Sequence, residues 1–169
     1  MDFILQEGYA PGCIGRIAEL HATYYNRLVG FGLYFESKVA QELSAFCEAY
    51  QEGRDGLWLV MVDGRVEGSI VIDGSHVQSE GAHLRWFIAS DAVRGTGAGN
   101  AMLSAAMNFC RSQHYERVFL WTFEGLDVAR RLYEKHGFHL VQEQLGRQWG
   151  SQVNEQRFEV NLFSGTVEK

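Results

Sequence analysis

Arg94-Gly95-Thr96-Gly97-Ala98-Gly99 is a glycine-rich, basic hexad near the middle of the chain. Ahead of it, Leu84-Arg85-Trp86-Phe87-Ile88-Ala89 alternates as a strand does. Behind it, Asn100-Ala101-Met102-Leu103-Ser104-Ala105-Ala106-Met107 reads as a helix. A glycine turn between a strand and a helix N-terminus gathers several backbone N–H groups at one point. With the helix dipole, those donors form a cradle for phosphate. The chain is therefore expected to bind a phosphorylated cofactor.

Two common phosphate loops do not fit. A dinucleotide fingerprint G-x-G-x-x-G starting at Gly95 would place its third glycine where Asn100 stands. It also asks for an acidic residue about 20 residues later, and the chain there reads Val118-Phe119-Leu120-Trp121. A Walker loop ends in Gly-Lys-Ser/Thr, and the sequence has no such triplet. Taken as R-x-x-G-x-G, however, Arg94, Gly97 and Gly99 match the pyrophosphate loop of the GNAT family of N-acetyltransferases. A second segment, Ala129-Arg130-Arg131-Leu132-Tyr133-Glu134-Lys135-His136-Gly137-Phe138, resembles that family's later motif A-x-x-L-Y-x-x-x-G-F. The separation of the two segments suits a helix, a strand and a second helix.

The bulk properties are ordinary for a soluble globular protein. A chain of 169 residues fits one domain, 1–169, with a sizeable core. A net charge of −6 argues against a nucleic-acid surface and favours cationic substrates mildly. The start, Met1-Asp2-Phe3-Ile4-Leu5-Gln6-Glu7, has neither a basic region nor a long apolar run, so no signal peptide and no membrane span are expected. Cys13, Cys47 and Cys110 are scattered and odd in number, which points to free thiols in the cytoplasm. No metal is expected. His136 and His139 are separated by the helix-ending Gly137-Phe138, and His21, His76 and His114 lack partners at ligand spacing.

From the front, Asp2 to Gly8 reads as a strand. Gly12 to Leu28 is a helix with Ile14, Ile17, Ala18, His21, Tyr25 and Leu28 on one stripe. Tyr34 to Gln51 is a second helix. Leu57–Val62 and Val66–Ile72 are strands joined at Asp63-Gly64, a hairpin signal. After the glycine turn and its helix come a strand at Val118–Phe123 and a helix from Leu126 to His136. Two strands, Phe138–Trp149 and Glu155–Phe163, close the order β-α-α-β-β-β-α-β-α-β-β. That order equals the GNAT order. The resemblance implies an α/β (α+β) fold with a mixed, mostly antiparallel seven-stranded sheet and about four helices, two on each side. Within the family, Leu120-Trp121-Thr122-Phe123-Glu124-Gly125-Leu126 and Leu84-Arg85-Trp86-Phe87 are similar to acetyltransferase domains that some bacteria carry behind a MarR-type regulator.

The resemblance also implies a chemistry: transfer of an acetyl group from acetyl-CoA to a primary amine by direct attack in a ternary complex. Thr96, Gly97, Ala98 and Gly99, flanked by Gly95 and Asn100, would turn N–H groups on the pyrophosphate, with Arg94 as the nearby cation. Arg85 is the other cation, read more readily as a solvated or cross-strand-paired charge. Phe87, Ile88 and Ala89 would offer backbone groups to the pantetheine arm where their strand splays from its neighbour. One of their N–H groups would polarise the thioester carbonyl.

Tyr133 matches the family's general acid, since a phenol with pKa about 10 is protonated at neutral pH. Histone-type members place a glutamate eleven residues before the motif arginine, and that position here is His83. Its reference pKa of about 6.5 suits a base. Glu80 would act through water, or a water chain alone would serve. Asparagine is often found seven residues before the motif tyrosine. Here Leu126 replaces it, so that contact is either lost or moved to Thr122 or Glu124. The aromatic residues Tyr24, Tyr25, Phe31, Tyr34 and Phe35 read mostly as core, with some lining an acceptor pocket where Glu36 or Glu42 attracts a cation. The acceptor is then a small amine, a polyamine or a peptide, and a homodimer is compatible. A non-catalytic acyl-CoA-binding module is the competing reading, and a longer acyl donor is a further one.

Overall fold

A computed structural model describes residues 2–163. Seven strands and four helices follow one another as expected: β1 Ile4–Glu7, α1 Cys13–Val29, α2 Leu33–Glu48, β2 Gly56–Val62, β3 Arg65–Asp73, β4 Ala82–Ala89, α3 Ala98–Ser112, β5 Arg117–Phe123, α4 Asp127–Lys135, β6 His139–Gly146 and β7 Val153–Asn161. The ends of the 1–169 span at residue 1 and at 164–169 lie outside the described residues.

The strands form one open sheet in the order β1-β2-β3-β4-β5-β7-β6. Every neighbouring pair is antiparallel except β4 and β5. Strand side chains alternate between faces, and β2 and β3 show it. Trp58, Val60, Ile70 and Ile72 pack with α3 residues Met102, Leu103, Ala106 and Met107. Leu57, Leu59, Val66 and Val71 pack on the other face with Cys13 and Ile17 of α1 and Leu43 and Phe46 of α2. Burial on both faces explains why β2 reads as a continuous apolar run. Asp63 and Gly64 both take positive φ, 49° and 76°, as a two-residue hairpin requires.

The motif at the end of α4 has a local physical cause. Gly137 has φ 90° and donates to Glu134 O, while the Phe138 N–H donates to Tyr133 O at 3.1 Å. This left-handed cap turns the chain back so that Phe138, 2% exposed, packs on Tyr133 with ring centroids 5.9 Å apart. The G-F pair therefore fixes the tyrosine.

Some ends are shorter than the sequence pattern suggests. β6 stops at Gly146 rather than Trp149 because the Gln148 N–H turns to the Glu155 carboxylate at 3.0 Å. α2 stops at Glu48, where the chain turns on Asp55, whose carboxylate accepts from the N–H groups of Gln51 and Gly74.

Candidate active site

The sheet opens beside the glycine turn. β4 and β5 pair only at Ala82–Val118 and His83–Phe119. Beyond His83 they diverge, and β4 backbone groups on that side have no strand partner. A bulge assists. The β3–β4 register shifts between Ser69 and Val71, and Trp86 sits at φ 44°, where a bulky residue is strained. The Ser69 hydroxyl donates to Trp86 O at 2.7 Å and holds the kink.

Two cavities meet in the opening. The first is a groove of about 700 Å³. Phe87, Ile88 and Ala89 line it, as do Arg94, Gly95, Gly97, Ala98 and Gly99. Gly95 and Gly97 have φ 74° and 88°, and a Cβ built on either meets nothing within 4 Å. The turn thus presents bare backbone to open space, as close approach of a phosphate demands. α3 opens at Gly97 without a side-chain cap, and its first helical bond runs from the Ala101 N–H to Gly97 O. The N–H groups of Ala98, Gly99 and Asn100 precede that bond and stand free for an anion. A pyrophosphate-bearing cofactor fits these residues.

The structure revises part of the expected set. Thr96 is not in the groove lining: its N–H and hydroxyl both donate to Val93 O inside the turn. The Asn100 side chain is turned away, its Oδ1 3.0 Å from His136 Nε2. Arg94 stays at the rim, 2.7 Å from Asp91 and stacked on Tyr24 at 4.5 Å. Arg131 of α4 is a second lining cation that the sequence reading missed. It is one helical turn after Asp127, which lines the groove too, and that spacing was its only signal. Arg85 lines the other cavity and not the groove.

That second cavity, about 330 Å³, is walled by Tyr25, Phe31, Phe35, Trp86, Phe123 and Trp149. Tyr25, Phe87, Leu126 and Ala129 border both cavities. Tyr133 lines the second one beside this junction, held between Phe87, Phe138 and Phe158 at centroid distances of 5.9, 5.9 and 6.3 Å. Burial raises its pKa above the ordinary phenol value, so the hydroxyl keeps its proton.

His83 reaches the same cavity, stacked on Phe119 at 4.4 Å. Burial and then the charge of Arg85 push its imidazole down to about 3, with Asp73 opposing. A ring neutral throughout the working range is a weak base, unlike the near-neutral group its reference value suggested. Glu80 is exposed in the turn before β4 and lines neither cavity. At the asparagine position Leu126 borders both cavities with an apolar side chain. Thr122 lines the second one, while Glu124 lines neither and accepts from Asn154 at 3.3 Å. Of the aromatic set, Tyr24 lines the groove, Tyr25 both cavities, Phe31 and Phe35 the second, and Tyr34 neither. His21 was also missed. It lines the second cavity with its Nδ1 2.8 Å from Ile17 O, and burial lowers its pKa to about 4.

An acetyltransferase (GNAT) family model matches residues 14–138, three-quarters of the chain and the whole of both cavities except Gln148 and Trp149. The chain belongs to the GNAT acetyltransferase family. Solved structures share its fold at low identity. The yncA acetyltransferase of Salmonella typhimurium, solved with its cofactor acetyl-CoA, is 15% identical with a TM-score of 0.74, over 100% of this chain and 99% of that one. Ard1 of Thermoplasma volcanium is 21% identical with a TM-score of 0.72, covering 94% and 97%. A GNAT acetyltransferase of Staphylococcus aureus is 14% identical with a TM-score of 0.75, covering 95% and 99%. No curated protein matches this GNAT chain. Among its described residues, no group of three or more His, Cys, Asp or Glu is placed to hold a metal, and no helix is long and apolar enough to cross a membrane.

Proposed function

We propose that this GNAT enzyme is an N-acetyltransferase that moves an acetyl group from acetyl-CoA to the primary amine of a small molecule or peptide, both held at once in a ternary complex. The observation that carries the proposal is the meeting of two cavities beside Tyr133: a backbone-lined groove and an aromatic pocket. The cofactor supplies an activated acetyl thioester. Gly95, Gly97, Ala98 and Gly99, with the Asn100 N–H, cradle its pyrophosphate, and Arg94 and Arg131 add positive charge at the rim. The unpaired β4 edge at Phe87, Ile88 and Ala89 aligns the pantetheine arm as an added strand would be aligned, and one N–H there polarises the carbonyl.

Tyr133 acts as general acid through its hydroxyl. Its raised pKa keeps it protonated, and it gives up that proton only as negative charge builds on the departing sulfur. The amine must lose a proton before attack. His83 is too weakly basic to hold one, so it orients water by hydrogen bonding, and water carries the proton out. Glu80 has no part. The three cysteines are free thiols, in keeping with a cytoplasmic enzyme. The segments Leu120–Leu126 and Leu84–Phe87 support a kinship with the acetyltransferase domains fused to MarR-type regulators.

The test is thiol release from acetyl-CoA across a panel of amines, beside calorimetry of acetyl-CoA binding. Transfer to at least one amine is expected. Tight binding with no transfer to any amine would favour the acyl-CoA-binding module instead.

A further inference from the structure

The charged end of the aromatic pocket is rich in donors and poor in free acceptors. Lys38 and Glu42 of α2 and Arg85 of β4 all line it. Among the described residues Glu42 is the only carboxylate in the lining, and both of its oxygens are engaged: Oε1 accepts from Lys38 Nζ at 2.7 Å and Oε2 from Arg85 Nη2 at 2.7 Å. An arginine and a lysine together bring about eight N–H donors, and these two bonds use two of them. From outside the lining Asp73 turns Oδ2 to Arg85 Nη1 at 3.5 Å, and its Oδ1 accepts from the Ser75 N–H and hydroxyl. Glu36, on the same helix as Lys38, is exposed and lines neither cavity.

A cationic polyamine would meet two cations and one carboxylate already paired with both. This charge balance weighs against the expectation that Glu36 or Glu42 draws in a cation. We propose that the acceptor is an amino acid type of molecule, its carboxylate seated on Arg85 and Lys38 and its apolar or aromatic body on Phe31, Phe35, Phe123 and Trp149. This rests on the reading of the pocket as the acceptor site. The aromatic wall is already assembled, with Phe31–Phe35 and Phe31–Trp149 centroids 5.0 and 6.5 Å apart. A pocket of about 330 Å³ admits a molecule of that size. The cations also assist the chemistry, because nearby positive charge favours the neutral form of the incoming amine.

The test compares two products that differ only in the carboxylate. CoA-loaded protein is titrated by calorimetry with N-acetylphenylalanine and with N-acetylphenethylamine. The carboxylate form is expected to bind at least about tenfold more tightly, as charge-assisted bonds allow. Lys38→Met and Arg85→Met are each expected to erase most of that preference, with CoA affinity and melting temperature reporting that the variants are folded. If Arg85→Met does not fold, Lys38→Met decides, since that side chain is on a partly exposed helix face. Equal binding, binding of neither product, or a preference intact in the folded variants overturns the proposal. Acetyl transfer to phenethylamine as fast as to phenylalanine would overturn it while leaving the transferase reading standing. A carboxylate preference in binding without transfer to any amine would do the reverse.

Discussion

The groove and the pocket are built by different means. The phosphate end of the groove is made of backbone from one turn and the first residues of one helix, with glycines at three of six consecutive positions, Arg94 to Gly99. The pocket is made of side chains from α1, α2, β4, β5, α4 and the loops at Phe31, Leu126 and Trp149, which only the fold brings together. A backbone-built site must be written contiguously, because the turn that makes it is local. A side-chain-built site needs no local pattern.

The largest expected effect tests the backbone half. Gly97→Glu should abolish CoA binding and leave the protein folded. Gly97 caps α3 at φ 88° with nothing within 4 Å of a built Cβ. The added Cβ therefore meets no protein atom, and its folding cost is the left-handed backbone, on the order of 1–2 kcal/mol. Its carboxylate would occupy the phosphate position. Unchanged CoA affinity in a folded variant, by calorimetry, would break the comparison.

The next effect lies at the junction. Tyr133→Phe keeps the ring that Phe87, Phe138 and Phe158 hold and removes only the hydroxyl. A general acid is typically worth 10²–10⁴-fold. We expect kcat to fall on the order of a hundredfold with CoA affinity nearly unchanged. Steady-state rates with a good acceptor check this, and full activity would remove Tyr133 from the mechanism.

These two residues were legible in the sequence for a physical reason. Gly97 belongs to the turn, and Tyr133 is tied to Gly137 and Phe138 by a local helix cap. The order of strands and helices was legible as well, through alternation and helical stripes. Other features were not. The φ of 44° at Trp86 depends on how β3 and β4 pair, and nothing in Arg85-Trp86-Phe87 marks it. The double engagement of Glu42 joins residues on α2 and β4 that lie far apart in the chain. The depressed pKa of His83 is a tertiary property, set by burial and by Arg85, so a reference value misled.

That depression gives a pH prediction of moderate size. His83 titrates near 3 and His21 near 4 in the folded protein, against about 6.5 unfolded. Folding lowers both pKa values, so below pH 6.5 the unfolded chain binds more protons than the native one. Their stabilising contribution is full above that pH and is lost as the pH falls toward 4 and 3. Each neutral histidine accounts for at most about 1.4 kcal/mol per pH unit in its window. Urea unfolding of His21→Gln at pH 7 and pH 5 should show a smaller acid loss than the wild type, by about 1–2 kcal/mol. In the kcat/KM profile, His83→Ala should alter no limb between pH 5 and 8. A limb near 6.5 that vanishes in His83→Ala would restore the histidine as a base.

The smallest effect sharpens the comparison at one residue. Asn100 would serve the groove with its N–H alone, while its side chain ties α3 to His136 at the end of α4. Asn100→Ala loses that partly exposed bond, worth about 0.5–1.5 kcal/mol, and gains roughly half a kcal/mol of helix propensity. Stability should therefore change by less than about 1 kcal/mol, and CoA affinity should stay within about twofold of wild type, since the backbone donor remains. Asn100→Pro is the contrast. Proline is tolerated in a first helical turn, where no helical bond is lost, but it removes the N–H. Its CoA affinity should fall about tenfold or more, as for loss of one charge-assisted bond. If Ala weakens CoA as much as Pro does, the Asn100 side chain takes part in binding. The groove would then owe part of its affinity to a side chain, as the pocket does.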